Sequence, residues 1–275
     1  MRHFFYHLKR GKLVFIGKPI FLSLIMVELL YERFMSSVIS KRMETELVDS
    51  ELTAIIKTFE RPQELKRLVQ SIRRFYPNMK IVVVDDSRVP TKLEGVETIV
   101  MPYDSGVSAG RNRVLEAVKT KYTLLLDDDY VFYRHTDLNE PLKMMEKCHE
   151  VDIMGGERVD LPLYRAVDYS KARLFPIDRN AVKPLGSMVW SLPVYDKVAN
   201  FYIARTERLR LVAWDNTLKR LDHADFFSRA KGILLTVFNK EFKVLHAQTP
   251  YNKPYMNKRF AIEEDQQRLH EKYYK

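Results

Sequence analysis

A single cysteine, Cys148, stands among 275 residues. One thiol excludes an internal disulfide and a cysteine-rich zinc site, and it points to a reducing compartment. Long apolar runs are missing too. Pro19 to Val27 is apolar but is bounded by Lys18 and Glu28, whereas a membrane-spanning helix needs about 20 apolar residues. No small-residue cleavage pattern follows the run, so a cleaved secretory signal is not expected. Internal repeats and low-complexity stretches are absent. No recognised nucleic-acid motif is present, so no nucleic-acid partner is expected. Acidic residues are missing from the first 18 positions, which hold Arg2, Lys9, Arg10, Lys12 and Lys18.

What is there is basic. Lys and Arg number 46 against 36 Asp and Glu, a formal charge of +10. Such a balance calls for an anionic partner: nucleic acid, a membrane surface or a phosphorylated ligand. The hydrophobic fraction of 46% and charged fraction of 30% are those of a folded chain. The length suits one large domain with appendages.

Residues 1–50 read as a basic, apolar helical appendage. With Phe4, Phe5, Tyr6, Phe15 and Phe21 it suits the face of an anionic bilayer; the competing reading is a pair of helices packed on the main domain. Lys41 to Glu46 reads as the linker. Residues 51–250 form the main domain, and 251–275 a charged helical tail.

Apolar β-branched runs predict strands at 52–58, 80–84, 96–101 and 122–126. Helices are expected from Arg61-Pro62 to Tyr76, with Pro in the first turn, and from Gly106 to Val118. This alternation implies crossover units and a mostly parallel α/β sheet flanked by helices. Further on, a helix over 141–150, strands over 151–156, 199–204, 234–238 and 242–245, a helix over 222–231 and a tail helix over 261–275 are expected. Gly155-Gly156 marks a close backbone approach. Residues 161–186 read as a long irregular excursion.

Ligands of such sheets bind at strand carboxyl ends, where Asp85-Asp86 and Asp127-Asp128-Asp129 fall. Three adjacent carboxylates repel, and a divalent cation neutralises them. In an extended segment Asp127 and Asp129 share a face while Asp128 points elsewhere. Gly106, Ser108 and Gly110 open a helix N-terminus to anions, and Arg111 adds a planar donor fork. Each feature also has a plain reading as turn or cap.

Taken together, Lys57-Thr-Phe-Glu-Arg-Pro62, Val82-Val-Val-Asp85-Asp86-Ser87, Gly106-Val-Ser-Ala-Gly-Arg-Asn112 and Leu125-Leu-Asp127-Asp128-Asp129 resemble a family-2-type glycosyltransferase of the GT-A (Rossmann-like) fold. Ala199 to Thr206, Trp214-Asp215 and Leu221 to Arg229 bring the resemblance closer to the β-1,4-N-acetylgalactosaminyltransferase-like group. It covers about residues 52–247. The resemblance implies an inverting transfer of an N-acetylhexosamine or hexose from a UDP-sugar, with Mn²⁺ or Mg²⁺, to a hydroxyl of a glycan or glycolipid. Asp85 or Asp86 would contact uridine with Thr58 and Arg61 nearby, and Ser108 and Arg111 would bind the nucleotide. Asp127 and Asp129 match the outer residues of the family's D-x-D motif, Asp129 as metal ligand and Asp127 as ribose contact or second ligand. His246 would be a third metal ligand. The catalytic base falls in Asp222-His223-Ala-Asp225, where His223 stands at the family's usual Asp; Asp222, His223 and Asp225 all stay open. Trp190 and Trp214 are candidates for the sugar site or the core.

The active-site edge is thus expected to be acidic, needing a metal before it holds a diphosphate. The basic N-terminus and missing signal fit peripheral attachment at the cytoplasmic face of a membrane, in polysaccharide biosynthesis. Two other readings compete: a nucleotidyltransferase making a nucleotide-sugar, which lacks its usual basic glycine-rich loop after the first strand, and a non-catalytic basic module, suggested by basic–aromatic interleaving at Arg73 to Tyr76 and Tyr251 to Phe260.

Overall fold

The structure is a computed structural model that describes residues 14–38 and 44–275. Arg2, Phe4, Phe5, Tyr6, Lys9, Arg10 and Lys12, and the linker residues Lys41 to Met43, lie outside the described residues.

The order begins with α1 (Val14–Val38), α2 (Glu46–Glu51), β1 (Leu52–Thr58), α3 (Pro62–Phe75), β2 (Lys80–Asp85), β3 (Glu97–Val100), α4 (Val107–Ala117) and β4 (Tyr122–Asp127). It continues through β5 (Tyr130–Val131), α5 (Asn139–Lys147), β6 (Ile153–Asp160), β7 (Arg165–Ala166), β8 (Met188–Val189), β9 (Leu192–Pro193), β10 (Tyr202–Arg205) and α6 (Thr206–Arg210). It ends with α7 (Asp222–Ala230), β11 (Thr236–His246), α8 (Lys253–Arg259) and α9 (Glu263–Tyr274). A nine-stranded sheet runs β3-β2-β1-β4-β10-β6-β11-β5, with β7 paired to β6. The pairs β3/β2, β2/β1, β1/β4 and β6/β11 are parallel; β10 runs antiparallel between β4 and β6.

Side-chain alternation splits the central strands between two cores, as period-2 geometry requires. Leu52, Ala54 and Ile56 of β1, Ile81 and Val83 of β2, and Leu124 and Leu126 of β4 join α3 in one core. Ile55, Val82, Val84 and Leu125 join Val114 and Leu115 of α4 and Phe226 and Phe227 of α7 in the other. The first four strands and both crossover helices match the sequence reading, and Pro62 opens α3 as expected.

One expectation changes. The two closing strands are one, β11, irregular between Asn239 and Lys243 where it re-registers on β6. The expected tail helix is α9, and α8 precedes it unforeseen. Among the described residues α1 is a single helix that runs through Pro19. It is docked by Phe21 and Ile25, and among the described residues no helix is long and apolar enough to cross a membrane.

Gly155 and Gly156 do mark a close approach. A Cβ on Gly156 would lie 2.5 Å from the Phe201 ring and from the Phe242 carbonyl, and one on Gly155 would meet Val198 at 2.4 Å. The Phe242 carbonyl belongs to the backbone of β11 and cannot swing aside. Gly156→Ala is expected to lower stability by about 1–3 kcal/mol through overpacking, read as a lower urea midpoint at unchanged slope.

Candidate active site

A cleft opens where β1, β4 and β11 end and α4 and α7 begin. Lys57 and Arg61 line it from β1 and the turn beyond, Arg111 from α4, Asp127 to Asp129 from β4 and its following turn, Asp222 from α7 and His246 from the last position of β11.

Strand β4 stops at Asp127, so the alternation expected for the acidic triplet stops there too. Asp127 stays one-third exposed and accepts hydrogen bonds from Arg111 Nη2 at 2.8 Å and Asn200 Nδ2 at 3.2 Å. Asp128 and Asp129 instead share Arg61. Asp128 accepts from Arg61 Nη1 at 3.0 Å and from Thr58 Oγ1 at 2.7 Å. Asp129 Oδ2 lies 2.7 Å from Arg61 Nη2 and 3.2 Å from His246 Nε2. Burial opposes the Arg61 charge, but Asp128 and Asp129 outweigh it and raise its pKa further above the ordinary value. Burial pushes the Asp128 carboxyl up to about 6. Burial also acts against charge on Asp129, yet Arg61 and His246 hold it well below the usual carboxylate range. Arg61, expected beside uridine, is thus the counter-ion of the triplet, with the Tyr255 ring 4.4 Å away on its face.

Asp129 and His246 have the character of a half-built cation site. Their facing atoms are 3.2 Å apart, close to the roughly 3 Å between neighbouring ligands of a six-coordinate Mg²⁺ or Mn²⁺. His246 Nδ1 bonds Asp160 Oδ1 at 2.7 Å, the outer carboxylate that orients a metal-ligating imidazole. Burial disfavours the His246 cation, but Asp129 and Asp160 overcome that and raise its pKa to about 9. Asp127 does not join them, because Arg111 and Asn200 hold it aside. Among the described residues no three His, Cys, Asp or Glu side chains come together as a metal site. The donor set fits a small divalent cation that draws its remaining ligands from phosphate oxygens and water.

Of the three base candidates, Asp222 alone lines the cleft. It is buried, ion-paired with Arg111, and its pKa is raised by burial against the pull of that cation. Arg111 is itself buried and bridges Asp127 and Asp222, so it too serves the carboxylates before any nucleotide. His223 turns away: its Nε2 lies 2.7 Å from the Val198 carbonyl, among the Tyr169 and Phe227 rings. Asp225, one helical turn on, is gripped by Arg229, Lys272 and the Tyr273 hydroxyl.

The remaining nucleotide candidates sit behind the cleft wall. Asp85 folds into its own loop, accepting from the Ser87 and Thr91 N–H groups. Asp86 pairs with Lys57 and accepts from the Gly106 N–H at 3.1 Å. Ser108 is fully buried, and Thr58 is spent on Asp128. Trp214 packs in the core against Phe226, while Trp190 is exposed away from the cleft wall.

Cations outnumber carboxylates around the cleft, which corrects the expectation of an acidic edge. Against Asp127, Asp128, Asp129 and Asp222 stand Lys57, Arg61, Arg111, Arg158, Lys219, Arg220, Lys258 and Arg259. The last four were missed. They come from the turn before α7, whose Lys219, Arg220 and Leu221 N–H groups donate to Asp265 of α9, and from α8, where the Lys258 carbonyl accepts from Arg220 Nε at 2.9 Å. The signal for Lys258 and Arg259 was the basic–aromatic run Tyr251 to Phe260, read as a mark of a non-catalytic module, and Lys219 and Arg220 gave none. Asn200, a neutral amide ahead of β10, lay in the Ala199 to Thr206 run but was not singled out as a site residue.

Comparison with known proteins adds the following. Residues 53–186 match the model of Glycosyl transferase family 2. The chain is 35% identical over 195 residues to mouse (Mus musculus) beta-1,4 N-acetylgalactosaminyltransferase 2, covering 67% of this chain and 37% of that protein. It is 36% identical over 211 residues to mouse beta-1,4 N-acetylgalactosaminyltransferase 1, covering 71% and 39%. The chain therefore spans about two-fifths of the length of these relatives. Its fold is shared with the S. aureus TarS 1–349 crystal structure in complex with UDP-GlcNAc, with TM-score 0.51 and 14% identity over 71% of this chain and 58% of that one.

Burial, with Lys197 beside it, lowers the His223 pKa to about 4. The ring is neutral in the folded protein and must charge on unfolding below its ordinary pKa of about 6.5. Stability from this group is therefore complete above pH 6.5 and lost as pH falls toward 4, by about 2 kcal/mol, less than the full shift because the ring keeps some solvent contact. His223→Phe is expected to flatten that acid limb in melting temperature against pH. An unchanged limb would assign it to other groups.

Proposed function

Because residues 53–186 match the Glycosyl transferase family 2 model, we propose that this protein is a metal-dependent inverting glycosyltransferase. It moves a sugar from a UDP-sugar to a hydroxyl of a glycan or glycolipid. N-acetylhexosamine is the first choice of donor sugar, after the two mouse relatives, with galactose or glucose next. The observation that carries the reading is one cleft that combines excess cationic charge, the Asp129–His246 pair and a buried carboxylate, Asp222.

In this reading Lys219, Arg220, Lys258 and Arg259 receive the diphosphate. Asp129 and His246 would hold Mn²⁺ or Mg²⁺, which would supply positive charge to the leaving diphosphate. Asp222 accepts the acceptor hydroxyl proton as its oxygen attacks the anomeric carbon. The bond from that carbon to the UDP oxygen breaks, the electron pair leaves on UDP, and configuration inverts. A carboxylate raised by burial is a stronger base. Arg111 keeps Asp222 aimed and, through Asp127, ties it to the end of β4.

A panel of UDP-sugars with Mn²⁺, scored for slow donor hydrolysis, tests the reading without a known acceptor. One N-acetylhexosamine donor is expected to turn over and EDTA to stop it. Release of pyrophosphate from UTP and a sugar 1-phosphate, with every UDP-sugar inert, would move the protein to the nucleotidyltransferases. Once an acceptor is found, Asp222→Asn is expected to cut kcat by about 10²–10⁴-fold at little change in UDP affinity. Near-normal turnover of that variant would remove Asp222 from the base role.

A further inference from the structure

Helix α1 turns the usual arrangement of a surface helix inside out. Its two acids face the protein: Glu32 is buried against Arg134, and the Tyr164 hydroxyl donates to Glu28 and Glu32 at 2.9 and 3.0 Å. Its large apolar residues face outward. Ile20, Leu24, Val27, Tyr31, Phe34 and Val38 form one stripe, flanked by Leu22, Met26 and Leu30, and each is 41–65% exposed. At 100° per residue these positions sweep about 200° of the helix. A single partner helix covers only the narrow seam of a heptad repeat, so the width fits a planar apolar medium.

The charge around this face has one sign. Lys18 and Arg33 are exposed on α1, and Arg74 adjoins Phe34 in a shallow groove. The twelve residues of sequence before Leu13 add Arg2, Lys9, Arg10 and Lys12 with no acid. Basic groups beside an outward apolar face suit the phosphates of anionic lipids. We propose that α1 lies on an anionic bilayer surface, apolar face immersed and basic neighbours among the headgroups. Inside, Phe21 and Ile25 pack on Val131, Val159 and Leu245, the chain neighbours of Tyr130, Asp160 and His246. The helix is thus fixed to the strands that carry the cleft wall. On the transferase reading, which this last step rests on, the cleft serves acceptors borne by the bilayer.

Flotation of the full chain with phosphatidylcholine vesicles, with and without phosphatidylglycerol, tests the docking. The protein is expected to float with the anionic vesicles, less so at high salt, and weakly with phosphatidylcholine alone. Val27→Glu with Phe34→Glu is expected to weaken binding roughly tenfold or more by putting charge in the immersed face. Circular dichroism checks its fold, and Val27→Ser with Phe34→Ser replaces it if folding fails. UDP-sugar hydrolysis without vesicles is expected to be unchanged in the variant, so absence of that activity in the wild type bears on the transferase reading and not on docking. Wild type that stays unbound with anionic vesicles, or a charged variant that floats like wild type, overturns the proposal. So does light scattering that finds a dimer made monomeric by the same substitutions, without vesicle binding, which gives the face to a second copy.

Discussion

Four carboxylates share the cleft, and two buried guanidinium groups make that possible. Arg111 lies between Asp127 of β4 and Asp222 of α7, and Arg61 lies between Asp128 and Asp129. Removing one member of such a buried pair costs about 3–5 kcal/mol, because the other charge is left without a partner in a poorly hydrated place. Arg111 also spans a topological gap. It joins the parallel half of the sheet to a helix that enters the chain more than a hundred residues later. The position of Asp222 relative to β4 is therefore set by charge as much as by packing.

The fold was legible wherever local pattern and tertiary burial agree. Strands β1, β2 and β4 are continuous apolar runs because both faces are covered, and Pro62 fits a helical first turn. Where the chain turns irregularly, the pattern said less. Asp127 to Asp129 were read as extended, but the strand ends at the first of them, so Asp128 and Asp129 converge on Arg61. The sequence also located Asp222 and His246 as candidates without ranking Asp222 over His223 and Asp225. The ranking depends on where α7 points its first turn, which no periodicity encodes. Asn200 and the α8 cations reach the cleft only through long-range packing. Their chemistry was visible as residue types, but their address was not.

The family 2 match ends at residue 186, before Asp222, His246 and α8. What lies beyond it is known here through its placement: a histidine oriented by an outer carboxylate, a buried acid beside an arginine, and a basic turn. On the transferase reading these parts would decide acceptor, base and metal, and they come from the half of the domain in which sequence pattern was weakest.

Asp265 is a small feature with a wide reach. One carboxylate on α9 holds the three N–H groups that lead into Asp222, while Arg220 and Lys258 meet on Asp104. The turn that carries two of the cleft's cations is thus anchored from the tail, so its shape is set by residues more than forty positions further along the chain. Loosening the tail would free three N–H groups at once, because a single carboxylate accepts all of them.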